Sequence, residues 1–187
     1  MTSAAPSLHF DPLSGQLSGG PISESQRVLG DLKGLFANEG ARAAMDQARL
    51  AYKVQCHFPV ADGTPGGLFF GVTHLEPGLV GDEYMMTKGH FHAAADRGEY
   101  YWGIQGQGAL ILMDAERRTR VEWVRPGSLH YIPGHTAHRM ANTGDSLFSF
   151  GACWPSDAGH DYASIAKAGF SARLLKRREG PTLVQGS

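Results

Sequence analysis

The sequence predicts an all-β protein: a double-sheet barrel of short antiparallel strands with short helical pieces at its two ends. Two observations predict it. From Leu50 onward, apolar and polar residues alternate with period two over roughly nine or ten short segments, with no helical stretch between them. The breaks between segments carry turn chemistry, and the 25 Gly and 10 Pro lie largely at such positions. The 187 residues suit one domain with a good-sized core, since a chain of roughly 150 residues buries nearly 70% of its unfolded surface. The expected division is an N-terminal arm with short helices over residues 1–49, a barrel core over 50–155 and a C-terminal segment over 156–187.

Residues 1–20 are rich in Ser, Gly and Pro, with a short strand at Leu8-His9-Phe10 and mobile ends. A helix is expected from Ser23, because Ser23 and Gln26 can form a capping box and Val28, Leu29, Leu32, Leu35 and Phe36 recur at helical spacing. Gly30 and Gly34 weaken it, by up to about 1 kcal/mol each. A second helix is expected over 39–49, with Asn38 as N-cap and Ala44, Met45 and Ala48 on one face. Strands follow at 51–58, 68–75, 83–91, 99–105, 109–113, 119–124, 128–132, 137–142 and 146–153. Their breaks include Pro77-Gly78, Gly106-Gln107-Gly108 and Arg125-Pro126-Gly127. A helix over 162–168 ends at Gly169, Ala172-Arg173-Leu174-Leu175 makes a final edge strand, and residues 180–187 are expected to fray.

Seventeen basic against eighteen acidic residues, with no long like-charge run before Lys176-Arg177-Arg178, argue against nucleic acid or an anionic membrane as the main partner. Cys56 and Cys153 are isolated, with no CxxC spacing, which fits a reduced, cytoplasmic protein. The first residues carry no basic segment followed by an apolar one, and no apolar run approaches the ~20 residues of a membrane span. A soluble protein is expected.

Chemistry concentrates at Lys88-Gly89-His90-Phe91-His92. On an extended strand His90 and His92 share one face and Phe91 takes the other. Glu99 and Tyr101 repeat that parity on the next strand, and Pro133-x4-His138 brings a third imidazole from a distant one. With nine His in the chain, a His-x-His pair alone is ordinary. The competing reading is therefore a metal-free barrel with packed histidines. The spacing of the whole set favours a metal: His90-x-His92, six residues, Glu99, six more, Gly106, then Gly127-x5-Pro133-x4-His138-x3-Asn142. Three imidazole nitrogens and one carboxylate oxygen suit divalent Fe, Mn, Ni or Zn, with further positions open to a substrate.

That spacing resembles the two signature motifs of the cupin superfamily, although most cupins place fewer residues between the His pair and the Glu. The resemblance implies a double-stranded β-helix, or jelly-roll barrel. A narrower likeness rests on Thr87-Lys88-Gly89-His90-Phe91-His92, Asp96-Arg97-x-Glu99-x-Tyr101, Pro133-x4-His138-Arg139-x2-Asn142 and Trp154-Pro155-x-Asp157-Ala158-Gly159-His160-Asp161-Tyr162. It extends upstream through Arg27-x-Leu29-x-Asp31-x2-Gly34-x-Phe36 to Tyr52 and Thr73. Together these are similar to the cupin-type glucose-6-phosphate isomerases. The resemblance implies interconversion of glucose 6-phosphate and fructose 6-phosphate by a homodimer. It implies one divalent ion per subunit, Fe²⁺ first with Mn²⁺, Ni²⁺ or Zn²⁺ as alternatives, held by His90, His92, Glu99 and His138. Glu99 can ligate the ion or carry a proton between adjacent sugar carbons, and the residues leave both jobs open. The resemblance assigns the phosphate to Thr73, Thr87 and the Gly89 N–H, with Tyr52 at the rim. Lys88 has the opposite parity and reads as a solvated surface charge. Tyr101 faces the lumen by parity, His160 can open the sugar ring by proton transfer, and Tyr162 completes the set. Where the family generally has tyrosine before Pro155, this chain has Trp154, an aromatic wall without a hydroxyl.

The rival readings are a cupin metal-dependent dioxygenase, a non-catalytic sugar-phosphate-binding cupin, and an isomerase for another aldose phosphate. Thr73, Thr87, Gly89 and the Asp157-to-Tyr162 stretch weigh against the first, because an oxygenase for an apolar substrate has no use for them.

Overall fold

The computed structural model describes residues 8–186. In chain order its first half holds β1 (His9–Phe10), β2 (Leu17–Ser18), β3 (Ser23–Val28), a 3₁₀ turn (Leu29–Leu32), α1 (Glu39–Ala44), β4 (Leu50–His57), β5 (Leu68–Leu75), β6 (Leu79–Val80) and β7 (Glu83–Tyr84). The second half holds β8 (Glu99–Gln105), β9 (Gly108–Met113), β10 (Thr119–Val124), β11 (Leu129–Ile132), β12 (Ala137–Asn142), β13 (Phe148–Pro155), α2 (Tyr162–Ala168), β14 (Ala172–Arg177) and β15 (Gly180–Gln185). The expected all-β architecture is thus present. A six-stranded sheet, β11-β8-β13-β5-β4-β3, and a three-stranded sheet, β10-β9-β12, contribute to one core. A four-stranded sheet, β15-β14-β7-β6, adds Tyr84 and Leu174 to that core.

Phe148, Leu75, Leu110 and Met140 fill the space between the two barrel sheets, all fully buried. Strand β9 is buried at every position, because the segment around Phe170 and Leu174 covers its outer side. That is why its sequence reads as a continuous apolar run and not as an alternation. The outer side of the large sheet carries a second cluster, Leu17, Val72 and Ile104, closed by the β1–β2 hairpin. The Gln55 side-chain oxygen accepts from the Leu17 N–H at 3.1 Å and pins that hairpin.

The N-terminal arm departs from expectation. Residues 23–28 form a strand and not a helix, pairing from Ser23↔Cys56 to Arg27↔Tyr52. Ser23 to Val28 also alternates, and β4 would otherwise present an open edge, so pairing outweighs a helix already weakened by two glycines. The helical spacing survives only as the 3₁₀ turn that buries Leu29 and Leu32. Asn38 does cap the next helix, accepting from the Ala41 N–H at 2.8 Å, but α1 stops at Ala44 instead of running to 49. The Gln47 side chain takes over the carbonyls of Arg42 and Met45, which ends the helix.

The expected 83–91 strand is also broken. Only Glu83–Tyr84 is regular; thereafter the chain touches β12 through the isolated bridges Met86↔Ala141 and His90↔His138. Gly89 at φ +74° makes the kink between them. At the other end, residues expected to fray form β15, registered on β14 from Ala172↔Gln185 to Arg177↔Gly180. The expected mobile N-terminus and the last residue fall on 1–7 and 187, outside the described residues. No helix among the described residues is long and apolar enough to cross a membrane.

Candidate metal centre and active site

Strand alternation turns Glu99 and Tyr101 into the barrel, while Tyr100 faces out and is 48% exposed. The bridge between His90 and His138 is closed by two backbone bonds, His90 N–H to His138 O at 3.2 Å and His138 N–H to His90 O at 3.0 Å. It zips the His90-x-His92 segment onto β12. One ligand atom each from His90, His92, Glu99 and His138 then lies within 4.8 Å of all the others. The His92 and His138 Nε2 atoms stand 3.2 and 2.5 Å from Glu99 Oε1.

The outer ring nitrogens fix the direction of these imidazoles. His92 Nδ1 sits 2.8 Å from the Arg97 carbonyl and His138 Nδ1 3.2 Å from the Thr136 carbonyl, so both Nδ1 atoms carry the hydrogen and both Nε2 lone pairs aim inward. The buried Nε2 atoms of His90, His92 and His138, with Glu99 Oε1, have no partner of hydrogen-bond geometry, close as some of them are. Four buried polar atoms without partners are costly. A divalent cation would satisfy all four, since imidazole nitrogens and a carboxylate oxygen are its usual ligands. The donor set fits a metal.

Electrostatics agree. Burial, then the neighbouring imidazoles, push the His90 pKa well below its ordinary value and keep its lone pair free. Burial alone would raise the Glu99 carboxyl, but His138 and His92 outweigh it and hold it down at about 2. At His92 burial opposes protonation, yet Glu99 prevails and raises the pKa. Glu99 is therefore an ionised acceptor throughout the neutral range.

A cavity of about 890 Å³ opens beside this set, and His90 and Glu99 line it, whereas His92 and His138 are buried behind. The expected sugar contacts all reach its wall: Tyr52, Thr73, Thr87, Gly89, Tyr101, Trp154, His160 and Tyr162. The Tyr101 ring stacks on Phe150 and meets His138 edge-on at 5.6 Å. Desolvation, then the neighbouring Glu99 charge, hold its phenol well above the usual tyrosine value, so it remains an O–H donor. His160 stacks on Tyr162 and meets the His90 ring at 4.4 Å. Partial desolvation by its neighbours lowers its pKa although the residue is exposed overall, which leaves a neutral imidazole with one donor and one acceptor nitrogen. Thr87 Oγ1 already accepts from the Met140 N–H at 3.1 Å, so its own hydrogen is free to donate.

Lys88 is half-buried on the cavity wall, not a solvated surface charge. The positive φ of Gly89 breaks the parity on which that expectation rested. Gly89 itself has a different reason to be glycine than an approaching anion. A Cβ there would lie 2.8 Å from the Phe170 ring and 2.9 Å from Arg139 Cβ. Gly89→Ala is accordingly expected to lower the melting temperature by roughly 5–10 °C, which a thermal scan reads directly.

Arg27, Asp31 and Lys33 also line the cavity, and sequence reasoning had given them no role at the site. The register Arg27↔Tyr52 was the missing signal, since it turns both side chains the same way. Arg97 is a further positioning residue. It clasps Asp157 through two bonds of 3.0 and 2.8 Å and offers its carbonyl to His92, linking the start of β8 to the loop that carries His160.

A family model described as glucose-6-phosphate isomerase (GPI) matches residues 26–184. Glucose-6-phosphate isomerase of Thermococcus litoralis is 39% identical over 162 residues, spanning 87% of this chain and 85% of that protein. The Thermococcus kodakarensis glucose-6-phosphate isomerase is 44% identical over 153 residues, spanning 80% of this chain and 79% of that one. A putative glucose-6-phosphate isomerase 1 of Rhizobium meliloti is 38% identical over 159 residues, 83% of this chain and 73% of its own. Among solved structures, oxalate decarboxylase of Bacillus subtilis aligns at a TM-score of 0.46 and 19% identity, over 59% of this chain and 27% of that one. With a matched segment running from β3 to β15, the chain belongs to the glucose-6-phosphate isomerase family.

Proposed function

We propose that this protein interconverts glucose 6-phosphate and fructose 6-phosphate in glycolysis and gluconeogenesis, using one divalent ion held by His90, His92, Glu99 and His138. The observation that carries the proposal is the convergence of four buried, unpartnered ligand atoms at the wall of a cavity lined by hydroxyls and basic groups. Fe²⁺ is the first candidate, and the mixed nitrogen and oxygen set also suits Mn²⁺, Ni²⁺ or Zn²⁺. When bound, such an ion supplies Lewis-acid polarisation of the sugar carbonyl and a counter-charge for the oxygens that become negative.

The chain's own groups do the rest. Thr73 and Thr87 hydroxyls, the Gly89 N–H and the Tyr52 phenol hold the phosphate, and Lys88 and Arg27 supply positive charge. Among the described residues no backbone carbonyl accepts from the Gly89 N–H, which leaves it for an anion. His160, neutral and beside the ligand set, takes the proton from the O1 hydroxyl and delivers one to the ring oxygen O5 as the C1–O5 bond breaks. Tyr101 donates to the sugar hydroxyls and orients the chain. Glu99 takes the proton from C2 and returns it to C1, while the O2 hydroxyl proton passes to O1 as the carbonyl moves from C1 to C2. Its low pKa makes it a weak base while His138 and His92 embrace it, so this job requires that substrate binding loosen that embrace.

Arg27 gives a first check on the phosphate end. Its guanidinium acts on the phenols of Tyr52 and Tyr162 and makes one bond of its own, to the Gln26 carbonyl at 2.7 Å. Arg27→Gln is expected to raise KM about fivefold with kcat within about twofold. We further place the enzyme in the cytoplasm as a homodimer, with free thiols at Cys56 and Cys153 matching a reduced compartment. Light scattering giving a monomer mass at micromolar concentration sinks the dimer.

The deciding experiment is a coupled assay of fructose 6-phosphate conversion on chelator-stripped protein, given Fe²⁺, Mn²⁺, Ni²⁺ or Zn²⁺ separately. Activity should vanish with the chelator and return with at least one ion. Oxygen uptake without isomerisation would replace this reading with an oxygenase.

A further inference from the structure

We propose that Trp154, seated over Gly71, is a platform for the closed ring of the sugar, separate from the groups that handle the open chain. The inference rests on the sugar-phosphate reading above. It begins with the inward-facing rows of the large sheet. Strand register aligns Tyr101, Ala152, Gly71 and Cys56 in one cross-strand row, three of them small. The next inward row toward the rim holds Trp154 paired with Phe69. Cys153 pairs with Tyr100, so one further step along the antiparallel ladder sets Trp154 beside Glu99.

The indole leans over the row of small residues. A Cβ built on Gly71 would come within 3.0 and 3.1 Å of Cη2 and Cζ3 of Trp154, and 3.2 Å of Cys56 Sγ. Gly71 sits mid-strand without positive φ, where glycine costs stability and no turn demands it. Its physical reason is the indole above it. From there an aromatic wall runs outward: Phe69 meets Trp154 edge-on at 6.0 Å and Phe58 meets Phe69 at 4.8 Å, with Phe58 46% exposed.

The cavity wall is thus of two kinds. The metal ligands, threonines and basic groups are polar, and they suffice for the carbonyl and phosphate ends of an open chain. The aromatic side has no counterpart in the open chain, whose hydroxyls point in every direction. A glucopyranose does present apolar surface, because its equatorial hydroxyls leave axial C–H bonds on its faces. Such C–H bonds suit the electron-rich face of an indole, and burying them removes apolar area from water. Trp154 therefore binds the ring form and holds it against His160, which lines the same cavity, until the ring opens.

The test is calorimetric, on metal-loaded protein, with two non-reacting probes. One is 1,5-anhydroglucitol 6-phosphate, a pyranose that cannot open; the other is glucitol 6-phosphate, which cannot close. Trp154→Ala is expected to weaken the locked ring about tenfold and the open chain by less than about twofold. Gly71→Ala, which forces the indole from its seat, should copy that selectivity. Trp154→Phe should restore ring binding to within about twofold, and this variant also reports that the fold is intact. In the assay Trp154→Ala should raise KM for glucose 6-phosphate with little change in kcat. Equal weakening of both probes, or of neither, overturns the platform and leaves the isomerase reading standing. If neither probe binds the wild-type protein, both fall.

Discussion

Replacing His138 by alanine should abolish isomerase activity and metal retention together. His138 is 1% exposed, its Nδ1 is committed to the Thr136 carbonyl, and its Nε2 closes on Glu99. No other imidazole on β12 can substitute, because the ring is placed by the backbone bridge to His90. The variant keeps that bridge, so circular dichroism should remain that of the native barrel while elemental analysis finds little metal. The expected fall in kcat/KM is a thousandfold or more, about 4 kcal/mol of barrier. A variant with full metal content and a tenth of normal activity would remove His138 from the ligand set.

Glu99→Gln should cost as much in rate for a different reason. Glutamine keeps the size and one acceptor oxygen but loses the charge and the proton-carrying ability. The expected drop in kcat is roughly 10³ to 10⁴, with KM nearly unchanged, since the phosphate end is untouched. A companion measurement separates the two jobs of Glu99. In wild-type turnover with C2-deuterated glucose 6-phosphate, a proton passed through a carboxylate exchanges with solvent in some fraction of events. Complete retention of deuterium in the product would mean a direct hydride shift, leaving Glu99 with the ligand role alone.

The arm and the kink mark where sequence reading stopped. Residues 23–28 satisfy a helical and an extended pattern equally well, and only the unpaired edge of β4, a partner 22 or more residues away, selects the strand. The Lys88 side chain turned into the cavity because Gly89 adopts φ +74°, a freedom that glycine always has and a sequence never announces. Arg27 had a place in the motif but none at the site, for the same reason that the strand carrying it read as a helix. Gly71 is the sharpest case, since a mid-strand glycine looks like a weakness until an indole from β13 is found in its place.

Local rules sufficed wherever one face of a strand decided the outcome. The strands over 68–75, 99–105, 119–124 and 137–142 and the helix over 162–168 were all legible within the segment itself. Period-two alternation likewise puts His90 with His92 and Glu99 with Tyr101 on common faces, while His138 entered only through the spacing of the whole motif. What needed the folded chain was every relation between strands: the 4.8 Å convergence of four ligand atoms and the aromatic side of the cavity. These depend on register and on backbone geometry at single residues. Both are set by the packing of the whole barrel, which no short stretch of sequence contains.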